Sequence, residues 1–333
     1  MGSTMRAIVQ TGYGAPERVL TLAEIPRPRV AADAVLIRVK ATSVNTPDWI
    51  AVAGVPYVLR LQSGLRGPST PVRGTDVAGI VEEVGRDVTD FRAGDEVFGS
   101  LWGNGRLMHA HGTFAELTVA PASEVIAKPA GLSFEEAGAA GMSGLTALLM
   151  MRDAAGVKPG TRVLINGASG GVGTFAVQIA KTLGAEVTGV CSTHNVELVR
   201  SLGADHVIDY TEQDFTRGAA RYDVILDNVL NHPPAATARA LAPSGILIPN
   251  SVGNTGGMLA GLPRMVRARF MRSVDVRFQS CVVNRENLAA HAALLESGQV
   301  RVVIDRTYPL DDAPAAVAHM LGHHAAGNVV ITV

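Results

Sequence analysis

A chain of 333 residues can form two domains of ordinary size, and with 47% hydrophobic and 18% charged residues it has apolar material for two cores and no signature of disorder. Its 29 basic and 30 acidic side chains leave a formal charge of -1, which argues against nucleic acid as a partner, since backbone binding needs a clear basic excess. Two cysteines, Cys191 and Cys281, are too few for a disulfide framework or a four-thiolate zinc knot. They read as reduced thiols of a cytoplasmic protein. No signal-peptide pattern opens the sequence, and no apolar run approaches the roughly 18 residues of a membrane span.

In chain order, short strands are predicted at 6–10, 35–41, 78–84, 96–99 and 114–119, broken by Gly and Pro in the manner of a β-rich, barrel-like unit. From about residue 133 helices alternate with apolar strands at 162–165, 186–191, 206–208, 222–226, 245–249 and 276–283. That alternation is the signature of a parallel, doubly wound α/β sheet. A helix at 287–296 and strand-like pieces at 302–304 and 329–333 complete the pattern.

The strongest motif is Ala168-Ser169-Gly170-Gly171-Val172-Gly173. It follows a predicted strand and opens a helix whose apolar positions Val172, Ala176, Ile179, Ala180 and Leu183 share one face. Strand, glycine loop and helix together are the Rossmann context in which backbone N–H groups receive a pyrophosphate. Enzymes that use NAD place an acid about 20 residues past the glycines for the ribose 2′-hydroxyl. Here that point reads Val190-Cys191-Ser192-Thr193-His194, with no acid before Glu197. Ser192 and Thr193 can hydrogen-bond a 2′-phosphate, so the expected cofactor is NADPH, with Arg200 as a candidate source of charge. The plainer use of both hydroxyls is to cap the next helix.

These residues carry a family resemblance. The loop with Thr174-Phe175-Ala176-Val177-Gln178, the run from Glu197 through Leu202-Gly203-Ala204-Asp205-His206-Val207-Ile208-Asp209-Tyr210, and the pieces Ser43-Val44-Asn45-Thr46-Pro47-Asp48, Arg73-Gly74-Thr75-Asp76 and Leu226-Asp227-Asn228-Val229 resemble zinc-independent quinone oxidoreductases. These belong to the medium-chain dehydrogenase/reductase superfamily, and the likeness is greatest to its reticulon-interacting NADPH oxidoreductases. The resemblance implies a GroES-like β-rich catalytic domain from 1–127 and 285–333, with a Rossmann domain at 128–284 between. It also implies NADPH contacts from Ser169, Gly171, Val172, Ser192 and Tyr210, with Asn228 nearby and Thr146 at the nicotinamide, while Gly170, Gly173 and Thr193 join the cofactor site from the glycine motif and the hydroxyls after the second strand. Some relatives have a lysine near Asn195, where this chain does not.

Zinc-using members of the superfamily need a Cys near Asn45, a His near Thr75 and a third ligand near Met142-Ser143-Gly144, and this chain offers none of them. The pairs His109/His111 and His319/His323 have no evident third ligand, so no metal is expected. Without a Lewis acid, hydride transfer suits an acceptor that delocalises the charge itself, a quinone or an α,β-unsaturated carbonyl. The alternatives are an enoyl-thioester or alcohol/aldehyde reductase on the same scaffold, and an NADPH-binding redox sensor with little catalysis. Candidate catalytic residues are Asn45 and Asp48, which also read as a turn with local hydrogen bonds, and Tyr57, a phenol able to protonate an enolate or a packed aromatic. Arginines at 264, 267, 269 and 272 mark either a lid or surface for anionic substrates or membrane lipids or, the favoured reading, a solvated helix with its apolar side on the core. A homodimer is expected through the apolar strand at 276–283.

Overall fold

The computed structural model describes residues 4–57, 60–65, 67–102, 111–251, 258–271, 274–322 and 325–333. The chain divides into two compact units, one of residues 1–145, 281–298 and 302–333, the other of 146–280 and 299–301.

The first unit opens with β1 (Thr4–Gln10), α1 (Pro16–Val19) and β2 (Leu20–Pro26). It continues through β3 (Ala34–Val44), α2 (Thr46–Ala53), α3 (Arg60–Ser63), β4 (Asp76–Val84), β5 (Glu96–Ser100), β6 (Leu117–Pro121) and β7 (Val125–Ala127). Then comes α4 (Phe134–Leu149), at whose end the chain passes into the second unit. β1 and β2 form an antiparallel pair, and in the larger sheet β3, β4, β5 and β7 follow one another with β6 also on β3, while two strands from the end of the chain, Ile304–Pro309 and Asn328–Thr332, extend it beyond β3. β3 is the hub because both of its faces are buried. Val35, Ile37 and Val39 pack with β4 and β5 residues, while Ala34 and Leu36 pack with Met5, Ala7 and Leu117. A strand buried on both faces needs a near-continuous apolar run, and Ala34-Val35-Leu36-Ile37 supplies one.

The second unit holds β8 (Arg162–Asn166), α5 (Gly171–Thr182), β9 (Glu186–Cys191), α6 (Val196–Ser201), β10 (His206–Asp209), β11 (Tyr222–Asp227), α7 (Pro234–Ala238), β12 (Leu241–Pro249), α8 (Met258–Arg269) and β13 (Asp275–Val276). Its strands lie in the order β10-β9-β8-β11-β12-β13, every pairing parallel. That is the doubly wound order whose ligands bind at the carboxyl ends of the strands. The chain returns to the first unit through α9 (Arg285–Glu296), β14 (Ile304–Pro309), α10 (Ala313–Leu321) and β15 (Asn328–Thr332).

Two strand expectations need correction. The apolar run at 276–283 is not one strand, because only Asp275–Val276 joins the sheet edge beside β12. Cys281 and Val283 pack instead with Leu145 and Leu288 in the first unit. One hydrophobic stretch is thus shared between two cores. The piece at 302–304 pairs later, as Ile304–Pro309, because Val302 packs on Ala139 and Val330 rather than extending the ladder. The arginine-bearing segment is a helix as expected, with Ala268 buried and Val266 half exposed. Arg272 lies outside the described residues.

Candidate active site

At the end of β3 the chain turns into α2 at Asn45. Asp48, at the third helical position, accepts the Asn45 backbone N–H at 2.8 Å, which caps the helix. The Asn45 side chain is used elsewhere. Its amide nitrogen lies 2.8 Å from Asp76 Oδ2, 3.1 Å from Ser43 Oγ and 3.2 Å from Thr75 Oγ1. Its oxygen accepts from Ser143 Oγ at 3.4 Å. Asn45, Thr75 and Ser143 are the three positions compared above with zinc ligands, and folding draws them into one buried hydrogen-bonded group. An amide and two hydroxyls offer neither thiolate nor imidazole, the donors zinc prefers. Among the described residues no group of three His, Cys, Asp or Glu could hold a metal. His109 and His323 lie outside those residues, and His319 is turned to Asp305 at 2.6 Å.

Two carboxyls lie beneath this group. Asp76, with no solvent exposure, accepts Ser43 Oγ and the Met142 N–H, each at 2.8 Å. Asp48 also accepts the Gly74 N–H at 3.1 Å and Thr75 Oγ1 at 3.4 Å. Desolvation pushes its carboxyl up to about 7, with the Asp76 charge adding and Arg73 opposing. Asp76 is raised as well, again chiefly by burial. Tyr57 stands apart from the group, 71% exposed, with its ring against the Arg60 guanidinium.

Sequence reading missed Asp76 and the spacing that seats it. Gly138, Gly141 and Gly144 recur every third residue along α4. A Cβ at Gly138 would meet the Ala41 backbone at 2.9 Å, one at Gly141 would meet Asp76 Oδ1 at 2.4 Å, and one at Gly144 would meet His291 Nε2 at 2.0 Å. The glycine stripe lets α4 lie directly on the strands and bring Ser143 to Asn45. Thr146, buried, follows three residues later on the same helix.

In the second unit, β8 ends at Asn166 and the glycine loop leads into α5. Gly167 takes the left-handed conformation (φ +78°) while Ala168 does not. Ala168 therefore fits in place of a glycine, and Gly167 makes the turn. Gly170 caps α5, so Gly171, Val172 and Gly173 head the helix with first-turn N–H groups available to an anion. A Cβ at Gly173 would lie 2.1 Å from Gly167 O, so the close wrap of the loop requires glycine there. At the end of β9, the Asn195 amide nitrogen lies 3.2 Å from both Ser169 Oγ and Ser192 Oγ, tying the loop to the following turn. Thr193 is bonded away, to Thr211 at 3.0 Å and to Asp209. Arg200 is spent on Glu197 at 2.6 Å. Tyr210 is 55% exposed, its backbone N–H held by Cys191 O. Asn228 follows β11 beside Gly167, its oxygen accepting from Asn250 at 2.8 Å, and its amide nitrogen is buried without a partner. An unsatisfied amide there, a glycine cradle and free helix-start N–H groups suit a dinucleotide.

Comparison with known proteins agrees with this geometry. Residues 31–130 match the alcohol dehydrogenase GroES-like domain family and residues 202–331 the zinc-binding dehydrogenase family. The chain is 33% identical to the chloroplast envelope quinone oxidoreductase homolog of Arabidopsis thaliana over 99% of both proteins. It is 34% identical to the mitochondrial NAD(P)H oxidoreductase RTN4IP1 of Mus musculus, covering 90% of this chain and 81% of that one. The solved quinone oxidoreductase from Coxiella burnetii superposes with a TM-score of 0.86 at 28% identity, over 99% of this chain and all of that one. A Rossmann unit joined to a GroES-like unit defines a medium-chain dehydrogenase/reductase. The chain belongs to the zinc-independent, quinone-oxidoreductase-like branch of that superfamily and is an NAD(P)H-dependent oxidoreductase.

Proposed function

We propose that the protein is an NADPH-preferring reductase of quinones or α,β-unsaturated carbonyls. The observation that carries the reading is the Asn45–Thr75–Ser143 group, which puts neutral hydrogen-bonding side chains where zinc-using relatives place metal donors. Such a site polarises a carbonyl only weakly, and an acceptor that spreads the incoming charge by conjugation needs least help. When bound, the nicotinamide supplies the hydride. This chain's residues bind, orient and exclude water.

In this reading the loop residues Ser169, Gly170, Gly171, Val172 and Gly173 hold the pyrophosphate, Ser192 and Tyr210 attend the adenosine ribose, and Asn228 and Thr146 lie along the nicotinamide half. Thr193, bonded to Asp209, contributes through the turn it fixes. Preference for NADPH is supported by the neutral Ser169–Asn195–Ser192 cluster, in which no carboxylate opposes a phosphate. The Asn45 amide hydrogens are engaged within the protein and its oxygen accepts from Ser143, so in this reading Asn45 acts by holding the neutral group in place. Two copies associate, on this proposal, at the edge beside β13, where Phe278 and Val282 are exposed.

The test is NADPH oxidation against a panel of quinones, enones, enoyl thioesters and saturated aldehydes, with and without a strong chelator. Quinones or enones should be reduced fastest, with no loss to chelation. Faster turnover of saturated aldehydes, or activity restored by added zinc, overturns the reading. NADPH binding without turnover of any acceptor would mark a sensor instead.

A further inference from the structure

The Asn45 amide nitrogen has two hydrogens and three oxygens within reach, all belonging to the protein. Asp76 accepts at both of its oxygens and has nothing left to offer. Of the hydroxyls here, Ser43 Oγ donates to Asp76 and Ser143 Oγ to the Asn45 oxygen, whereas the Thr75 hydroxyl contacts the second carboxyl, Asp48, from which a proton can be drawn. Thr75 Oγ1 receives the Asn45 amide and contacts Asp48 Oδ2 at 3.4 Å. We propose that Thr75 is the proton donor to the reduced acceptor and that Asp48, buried behind it, refills Thr75 through that contact. The proposal rests on the reductase reading above and adds the proton source to it.

A reduced nicotinamide held at the Gly167–Gly173 loop would supply the hydride, and an acceptor so reduced would carry an oxyanion as a quinol or enolate. The Thr75 O–H bond breaks as the new O–H bond forms on that oxygen. The Asp48 carboxyl proton passes to Thr75 Oγ1, leaving a carboxylate that takes a proton from solvent before the next turnover.

The state of Asp48 also sets where the Thr75 hydrogen points. An ionised Asp48 draws it away from the acceptor, whereas a protonated Asp48 donates to Thr75 and frees it. Burial keeps the Asp48 carboxyl near 7, in the range where a donor both holds and yields a proton. The charged groups bearing on it are Asp76 on β4 and Arg73, which in turn faces Tyr13. α10 also packs on α2, but its His319 is turned to Asp305.

The experiment has two parts. In cofactor-free protein labelled with ¹³C-aspartate, infrared difference spectra should show a protonated carboxyl that titrates near 7 and is missing from Asp48→Asn. In turnover with an enone, kcat should fall as pH rises through the same range. Thr75→Val should lose about 100-fold together with the pH limb, whereas Thr75→Ser should keep the limb. If Asp48→Asn does not fold, the wild-type titration and the Thr75 pair still decide. An active enzyme with a pH-independent kcat, with Asp48 ionised throughout, or with Thr75→Val as fast as wild type overturns the relay and leaves the reductase reading standing. A protein that reduces no acceptor overturns both.

Discussion

A carboxyl forced to stay neutral in the folded state leaves a mark on stability. The Asp48 carboxyl is pushed up to about 7 from its ordinary 3.8. Below about 4 both folded and unfolded chains hold its proton, and the site contributes no penalty. As pH rises from there the unfolded chain ionises first, so stability falls until the folded carboxyl also ionises near 7. At roughly 1.4 kcal/mol per unit the penalty is on the order of 4 kcal/mol. Asp48→Asn cannot ionise, so its melting temperature relative to wild type should climb between about pH 4 and about pH 7 and level off above that. A constant offset would show that Asp48 is an ordinary carboxylate. At the cofactor end, Ser192 shares the Asn195 amide with Ser169. Ser192→Asp should weaken NADPH binding by about 1–3 kcal/mol and spare NADH, as titration calorimetry can check. Equal affinity of the wild type for both cofactors would sink the NADPH preference.

At the scale of elements, α4 makes the candidate site possible by lying against β3 and β5 with no side chain between at Gly138 and Gly141. The approach at Gly138 is to backbone, which cannot rotate away. Gly138→Ala should lower stability by about 1–3 kcal/mol through overpacking, read by urea denaturation. Gly131→Ala, with nothing within 4 Å of its Cβ position, is the control and should change little. Equal effects would mean that the close approach at Gly138 does not set the requirement. The same geometry explains why His291 is held neutral. Packed on Gly144, it is fully buried, and desolvation drops it to about 4.

At the scale of the molecule, the open question is association. β13 ends the second unit's sheet after two residues, and the stretch after it leaves Phe278 39% and Val282 37% exposed. Apolar side chains beside an uncovered sheet edge favour pairing with a second copy. Light scattering at micromolar concentration should return twice the mass of 34.7 kDa, and Phe278→Glu should shift it to the monomer. A monomeric wild type removes the dimer from the proposal without touching the chemistry.

Some of this protein was determined by sequence alone because the signals are local. A strand, a glycine loop and an amphipathic helix are adjacent in the chain, so Gly167 to Gly173 could be read directly as a phosphate cradle. The parallel sheet followed from the alternation of apolar strands with helices. The missing acid after β9 was equally legible. The split of 276–283 between two cores was not, because an apolar run does not say which core takes it. Nor was the exposure of Tyr57, whose surroundings are set by neighbours outside its own segment. Asn45, Thr75 and Ser143 lie far apart in sequence, and whether Asn45 served a local turn or a site was left open at that level. Only the tertiary structure brings Asp76 to the Asn45 amide nitrogen, because a buried carboxylate must have its donors, while Asp48 still closes the local turn on the Asn45 backbone N–H.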